Sequence, residues 1–224
     1  MTSPKHLKLS VVALVSLAVG GGYGDPVDPA GDVDPEDARD TVRPAAAMTG
    51  QLDVLDSVYW NTGGANWNDN TNWLTDEPLG DWYSVSADTQ GNVTRLSLYD
   101  NDLAGSIPAK LGGLDSLRYL NFSSNDFTGS IPAELGNLVS LRGLNLSSNG
   151  LTGSIPAELG NLESLWGLLL QGNSGLTGPL PDDLTGTTPY VFHWYDTGLC
   201  APTDAAFQAW LDSIPDEQGA GDCS

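Results

Sequence analysis

The segment LRGLNLSSNGLTGSIPAELGNL at residues 141–162 decides the fold, because the chain repeats its pattern several times. Its central asparagine recurs at a spacing of 24 residues, at Asn101, Asn125, Asn149 and Asn173. Apolar residues precede each asparagine in the same register, as Val93, Leu96 and Leu98, Leu117, Leu120 and Phe122, Leu141, Leu144 and Leu146, and Leu165, Leu168 and Leu170. A degenerate fifth unit keeps Phe192 and Trp194 but has Thr197 in place of the asparagine. This regularity predicts a solenoid of stacked coils.

Each position of the repeat has a physical role. The alternating apolar residues, such as Leu120 and Phe122, point inward from a short parallel strand, and their neighbours point outward. The asparagines lie one above another, where a buried amide satisfies backbone groups left unpaired by the turn, so the loss of one costs about 1–3 kcal/mol. Backbone freedom at the bend comes from Gly105, Gly129, Gly153 and Gly178.

The motif L-x-x-L-x-L-x-x-N-x-L-T-G-x-I-P-x-x-L-G-N-L, nearly complete in residues 141–162, resembles the plant-type subclass of leucine-rich repeats. That subclass includes ectodomains of plant receptor kinases and polygalacturonase-inhibiting proteins. The resemblance implies an α/β leucine-rich repeat solenoid: a short, curved, right-handed array with a parallel β-sheet on the concave side and extended or 3₁₀ segments behind it. Plant members usually carry paired cysteines in the N-terminal cap, and this chain has none there.

The flanking regions divide the chain into five parts. Residues 1–22 place Lys5 and Lys8 before a short apolar run, which is the order of a secretory signal peptide and predicts a secreted, cell-surface or periplasmic protein. Residues 23–47 are acidic and Pro-rich, which indicates a disordered spacer. We assign residues 48–92 to an N-terminal cap, 93–199 to the repeats and 200–224 to a C-terminal cap.

The N-terminal cap combines one amphipathic helix with a cluster of aromatic residues. Leu52, Leu55, Val58 and Tyr59 recur at helical spacing behind Thr49, a candidate helix cap, and the pattern stops at the Asn61-Thr-Gly-Gly64 turn. The aromatic residues that follow are Trp60, Trp67, Trp73, Trp82 and Tyr83. We expect them to plug the open end of the first coil. The alternative is a carbohydrate-stacking site.

The C-terminal cap contains the two cysteines of the chain, Cys200 and Cys223. Downstream of an export signal, a single disulfide is the expected pairing, and closing this loop contributes roughly 3 kcal/mol. Between them, Thr203 is the candidate N-cap of a short helix that Pro215 stops. The helix would cover the last coil.

Composition excludes several classes of function. With 29 acidic and eight basic residues, the net charge of -21 repels nucleic acid and anionic membranes. Phosphate-binding glycine loops and zinc-ligand spacings are missing from the sequence, so we expect no cofactor and no metal. His193 lacks a partnered nucleophile. We therefore expect a non-catalytic, monomeric protein without a membrane span.

Function would reside on the outward strand positions, which form columns across the concave face. Tyr, Trp and Arg, the residues that most often anchor interfaces, occur among them and favour a protein or peptide ligand. The candidate binding residues are Arg95, Tyr99, Arg118, Tyr119, Asn121, Arg142, Asn145, Trp166, Leu169, Gln171, His193 and Tyr195. The alternative is a glycan-binding or cell-surface structural protein. Asn121 and Asn145 also begin glycosylation sequons, and glycans there would block this face.

Overall fold

The computed structural model describes residues 50–223. The expected signal peptide, the spacer and the capping role of Thr49 lie outside these residues. Helix α1 spans Gly50–Asn61 and ends where the turn pattern predicted. Its buried face, which includes Val54, Leu55 and Val58, packs on the first coil.

Short strands make up the repeats. They are β1 (Val85–Ala87), β2 (Val93–Ser97), β3 (Ala104–Ser106), β4 (Tyr119–Asn121), β5 (Asp126–Gly129), β6 (Gly143–Asn145), β7 (Gly150–Gly153), β8 (Gly167–Leu169), β9 (Gly175–Pro179), β10 (Val191–His193), β11 (Gly198–Cys200) and β12 (Asp216–Gln218). The front sheet has the order β1-β2-β4-β6-β8-β10-β12. All its pairs are parallel except the first, in which β1 runs antiparallel to β2. The parallel front sheet of the predicted solenoid is thus confirmed.

A second sheet lies behind the first in each coil. It contains β3, β5, β7, β9 and β11 in spatial sequence. Between this back sheet and the next front strand, each coil forms a 3₁₀ helix that follows a proline. These helices are Ala109–Gly113, Ala133–Asn137, Ala157–Asn161 and Asp182–Gly186. The extended and 3₁₀ segments expected behind the concave sheet are therefore both present.

The repeated asparagines connect successive coils by hydrogen bonds. Oδ1 of Asn125 accepts from the backbone N–H groups of Asn101 and Leu103, and its Nδ2 donates to the carbonyl of Leu98 at 2.8 Å. Asn149 and Asn173 repeat this arrangement in the following coils. In the fifth unit, the Thr197 hydroxyl donates to the carbonyl of Trp194 within its own coil.

Three tryptophans of the aromatic cluster in the N-terminal cap belong to the core. Trp67, Trp73 and Trp82 are at most 6% exposed, and neighbouring rings lie 4.9 and 5.3 Å apart. Their indole N–H groups donate to backbone carbonyls, so the polar atoms are satisfied inside the cap. The carbonyl and N–H of Asp69 both bond the Asn101 side chain, which joins the cap to the first coil.

The C-terminal cap closes the other end. Helix α2 spans Ala205–Asp212, and its N-cap is Asp204, whose carboxylate accepts from Ala206 and Phe207. The expectation that Thr203 caps this helix was wrong, because Asp204 directly precedes the first helical residue and its side chain reaches the free N–H groups. A disulfide joins Cys200 to Cys223, as expected.

Candidate functional site

The front sheet presents its outward side chains in two columns. Strand register aligns Arg95, Tyr119, Gly143, Gly167 and Val191 in one of them. The next column contains Ser97, Asn121, Asn145, Leu169 and His193. Since neighbouring strands lie about 4.8 Å apart, each column is a continuous stripe across the coils.

Exposed aromatic rings are concentrated on this side of the molecule. Among residues 50–223, six large hydrophobic side chains are exposed, and five of them are aromatic residues within or next to the front strands: Tyr99, Tyr119, Trp166, Tyr190 and Tyr195. Trp166 is 58% exposed and Tyr190 51%, so neither ring covers the terminal core. The two rings stack in parallel, with their centroids 5.4 Å apart.

A pocket of about 220 Å³ opens among these side chains. Gly143 and Gly167 both line it: the Tyr119 ring packs close over Gly143, where an added Cβ atom would lie 3.1 Å from Cδ1, whereas a Cβ atom added to Gly167 would meet no atom within 4 Å. Tyr119 borders one side of the pocket and Trp166 the other. Two glycines in one column therefore produce a slot between two aromatic side chains.

One arginine, Arg95, lines this slot. The guanidinium of Arg95 lies 4.5 Å from the centroid of the Tyr119 ring, a cation–π contact that holds both side chains at the pocket. Arg118 and Arg142 precede β4 and β6, and their main chains pair with each other and with Trp166. Both residues are exposed and lie outside the lining of the slot.

Asn121 and Asn145 line the pocket with their side-chain amides. Oδ1 of Asn121 accepts from the backbone N–H of Ser123 at 3.0 Å and from its hydroxyl at 2.7 Å. Asn145 makes the same two bonds with Ser147. Each amide is therefore held in one orientation.

The C-terminal end of the face is less open. Nε2 of His193 is buried and lies 3.2 Å from Oδ1 of Asp216, close enough for an ion pair but not aligned as a hydrogen bond. Contact with His193, followed by the amide of Gln218, lowers the pKa of the Asp216 carboxyl. Oε1 of Gln171 is also buried, and it has no partner among the described residues. His193 thus faces the cap strand β12 rather than the slot.

The candidate residues therefore separate into groups. The slot brings together Arg95, Tyr119, Asn121, Asn145, Trp166 and Leu169. Tyr99, Arg118, Arg142, Gln171, His193 and Tyr195 do not line it. Sequence reasoning left Gly143, Gly167, Val191 and Tyr190 out of the candidate set, although the repeat register already placed the first three in the column of Tyr119.

The family comparison agrees with this geometry. The model described as Leucine Rich Repeat matches residues 116–138 and 140–162, which contain the second and third coils. These coils are leucine-rich repeats. No curated protein matches this sequence.

Solved structures show which leucine-rich repeat proteins share the fold. A chain of the crystal structure of PEPR1-AtPEP1 superposes with a TM-score of 0.64 and 27% identity, over 76% of this chain and 24% of that one. The BIR2 ectodomain from Arabidopsis thaliana gives a TM-score of 0.65 and 25% identity, over 80% of this chain and 96% of that one. The plant peptide hormone receptor RGFR1 in complex with RGF2 gives 0.50 and 33%, over 56% of this chain and 20% of that one. The repeats are therefore of the plant type.

The chain spans about a quarter of the matched PEPR1-AtPEP1 chain. No helix within residues 50–223 has the length and apolar character needed to cross a membrane.

Proposed function

We propose that this protein is a non-catalytic recognition module that binds a protein or peptide ligand through the concave face of the front sheet. The main support is the concentration of exposed aromatic rings along the front sheet, two of which, Tyr119 and Trp166, line the slot. When a partner covers large aromatic rings beside a pocket, their removal from water stabilises the complex. Arginine, also frequent in interface anchors, borders the same slot.

The structural neighbours support a ligand of this kind. The matched receptor RGFR1 is described as a plant peptide hormone receptor and is in complex with RGF2. A disulfide is typical of proteins that fold in an oxidising compartment, which favours a secreted or cell-surface location. We propose that the module acts there as a monomer.

The N-terminal cap offers little support for the glycan-binding alternative. It placed sugar stacking on the aromatic cluster of the N-terminal cap, and Trp67, Trp73 and Trp82 of that cluster are buried. Stacking requires an accessible ring face. A glycan would have to use the exposed Trp166 and Tyr190 instead.

The proposal is tested by capture from the extracellular fraction of the source organism. The double variant Tyr119→Ala/Trp166→Ala removes both sides of the slot, and we expect capture of the partner to fall by more than about tenfold. The melting temperature should stay the same, because both rings are exposed.

Val139→Ala is the matched control. Val139 is 59% exposed but lies just after the 3₁₀ helix Ala133–Asn137, outside the front strands. Its loss should leave capture unchanged. Equal capture by the wild type and the double variant would contradict the proposal.

A further inference from the structure

The asparagines of the slot can only donate hydrogen bonds to a ligand. In Asn121, Oδ1 already accepts two hydrogen bonds from Ser123, and in Asn145 it accepts two from Ser147. If the amide were turned so that Nδ2 lay at this position, it could not accept a hydrogen bond from the serine N–H. The positions of Oδ1 and Nδ2 are therefore determined in both asparagines. Neither Nδ2 has an acceptor within residues 50–223, and both residues line the pocket. Two N–H₂ groups on neighbouring strands thus face the ligand space.

Positively charged side chains are concentrated near the slot. Residues 50–223 contain four Lys and Arg residues in a chain with a net charge of -21, and three of them, Arg95, Arg118 and Arg142, lie in or beside the columns of the slot. No carboxylate within residues 50–223 forms a salt bridge with any of the three. Hydrogen bonds from Asn92 lower the pKa of the Asp88 carboxyl, and the charge of Arg118 adds a smaller contribution in the same direction.

We infer that the slot recognises a carboxylate group of a peptide, next to a large apolar side chain that fits between Tyr119 and Trp166. A carboxylate accepts hydrogen bonds and donates none, so it suits a slot in which the side chains of Asn121 and Asn145 only donate. Charge-assisted bonds of this kind are roughly twice as strong as neutral ones. The apolar side chain would contact Leu169 and Val191, which also line the slot. This inference rests on the proposed function, since it specifies the ligand of the same face.

A neutral sugar suits the slot less well. Every hydroxyl group of a sugar brings a donor as well as acceptors, and a buried donor without an acceptor is costly. The two amide oxygens that could accept are occupied by Ser123 and Ser147. The donor pattern therefore favours the peptide carboxylate.

The test uses small probes and amide resonances of the whole protein in ¹⁵N NMR. N-acetyl-phenylalanine carries a ring and a free carboxylate, and N-acetyl-phenylalanine amide has the same shape without the charge. N-acetyl-aspartyl-phenylalanine amide carries a side-chain carboxylate and a blocked terminus, so it distinguishes the two sources of the group. We expect a carboxylate probe to shift the Gly143 and Gly167 resonances and to bind at least about tenfold more tightly than the neutral amide.

The variants Asn121→Asp and Asn145→Asp sharpen the test. Aspartate keeps an acceptor for the serine N–H and hydroxyl but replaces the N–H₂ donor by a carboxylate oxygen. The fold should be retained, and binding of the acidic probe should weaken by at least about tenfold through lost donors and like-charge repulsion. Asn137→Asp adds the same charge at an exposed position of the 3₁₀ helix Ala133–Asn137 and should leave binding unchanged.

Several results would overturn the inference. If N-acetyl-phenylalanine and N-acetyl-phenylalanine amide bound equally well, the slot would still bind a ligand but would have no preference for a carboxylate. Tighter binding of glucuronate than of both acidic peptide probes would assign the slot to acidic sugars. If no probe shifts the glycine resonances, the carboxylate assignment is wrong, and the capture experiment with Tyr119→Ala/Trp166→Ala then decides the proposed function separately.

Discussion

At the scale of single residues, the repeated asparagines stabilise the array by connecting one coil to the next. Asn125 is buried and bonds backbone groups of its own coil and of the coil before it. Asn125→Ala would leave several of these groups without partners in the interior. We expect the free energy of unfolding to fall by about 3 kcal/mol, measured by urea denaturation.

Asn137→Ala provides the comparison for this prediction. Asn137 is exposed at the end of a 3₁₀ helix, so its side chain should contribute little to stability. A loss of less than about 0.5 kcal/mol in Asn125→Ala would show that the coil-to-coil bonds do not stabilise the array.

Two adjacent glycines should respond in opposite ways to the same substitution. A Cβ atom on Gly112 would overlap the carbonyl oxygen of Glu134 in the next coil, whereas a Cβ on Gly113 would make an ordinary contact with Val54 at 3.6 Å. Gly112→Ala must therefore push two coils apart, and we expect it to cost about 1–3 kcal/mol.

Gly113→Ala should instead leave stability unchanged or raise it by about 0.5 kcal/mol, because alanine has fewer unfolded conformations. Thermal unfolding of the two variants side by side measures the difference. Equal melting temperatures would mean that the coils do not approach as closely as described. Gly136 and Gly160 repeat the contact of Gly112, with Glu158 and Asp183.

The sequence predicted the role of the repeated asparagines but not that of Gly112. The asparagines follow from their period and from the chemistry of a buried amide. Gly112 recurs in register at Gly136 and Gly160, so the period marks the position, but its role depends on the distance between neighbouring coils, which only the folded structure gives. The same holds for the orientation of Asn121, because it depends on bonds to Ser123 that form only in the folded turn.

At the scale of secondary-structure elements, the start of helix α2 offers a direct test. The Asp204 carboxylate accepts from the N–H groups of Ala206 and Phe207 at 3.1 and 2.9 Å. Asp204→Ala removes both bonds and should cost about 1 kcal/mol, measured as a lower urea midpoint. Thr203→Ala is the control and should have almost no effect. If Thr203→Ala lowered the urea midpoint more than Asp204→Ala does, Thr203 would be the cap of the helix.

The repeat pattern predicted the front strands β2, β4, β6, β8 and β10, since each carries the alternating apolar residues of one unit. It did not predict the two strands at the edges of the front sheet. β12 reads Asp216-Glu-Gln218 and has no apolar alternation. It pairs with β10 through its backbone after helix α2 returns the chain to the last coil, and such pairing leaves no pattern in the sequence.

At the scale of the whole molecule, the solenoid converts a one-dimensional repeat into a surface. Columns of outward residues could be read from the sequence, because register in a stack of equal coils follows directly from the period. The slot could not be predicted in the same way. It depends on two glycines falling between Tyr119 and Trp166, and on rings that remain exposed instead of folding over the terminal core.

The variant Gly167→Phe tests whether the ligand binds in this slot. A Cβ atom at Gly167 meets nothing within 4 Å, so the added ring can occupy the slot without displacing the backbone. Val139→Phe introduces the same ring at an exposed position outside the front strands. The measurement is the affinity of each variant for the partner captured by the wild type. We predict that Gly167→Phe keeps its melting temperature and loses binding, whereas Val139→Phe binds like the wild type. Wild-type affinity in a folded Gly167→Phe variant would contradict the account.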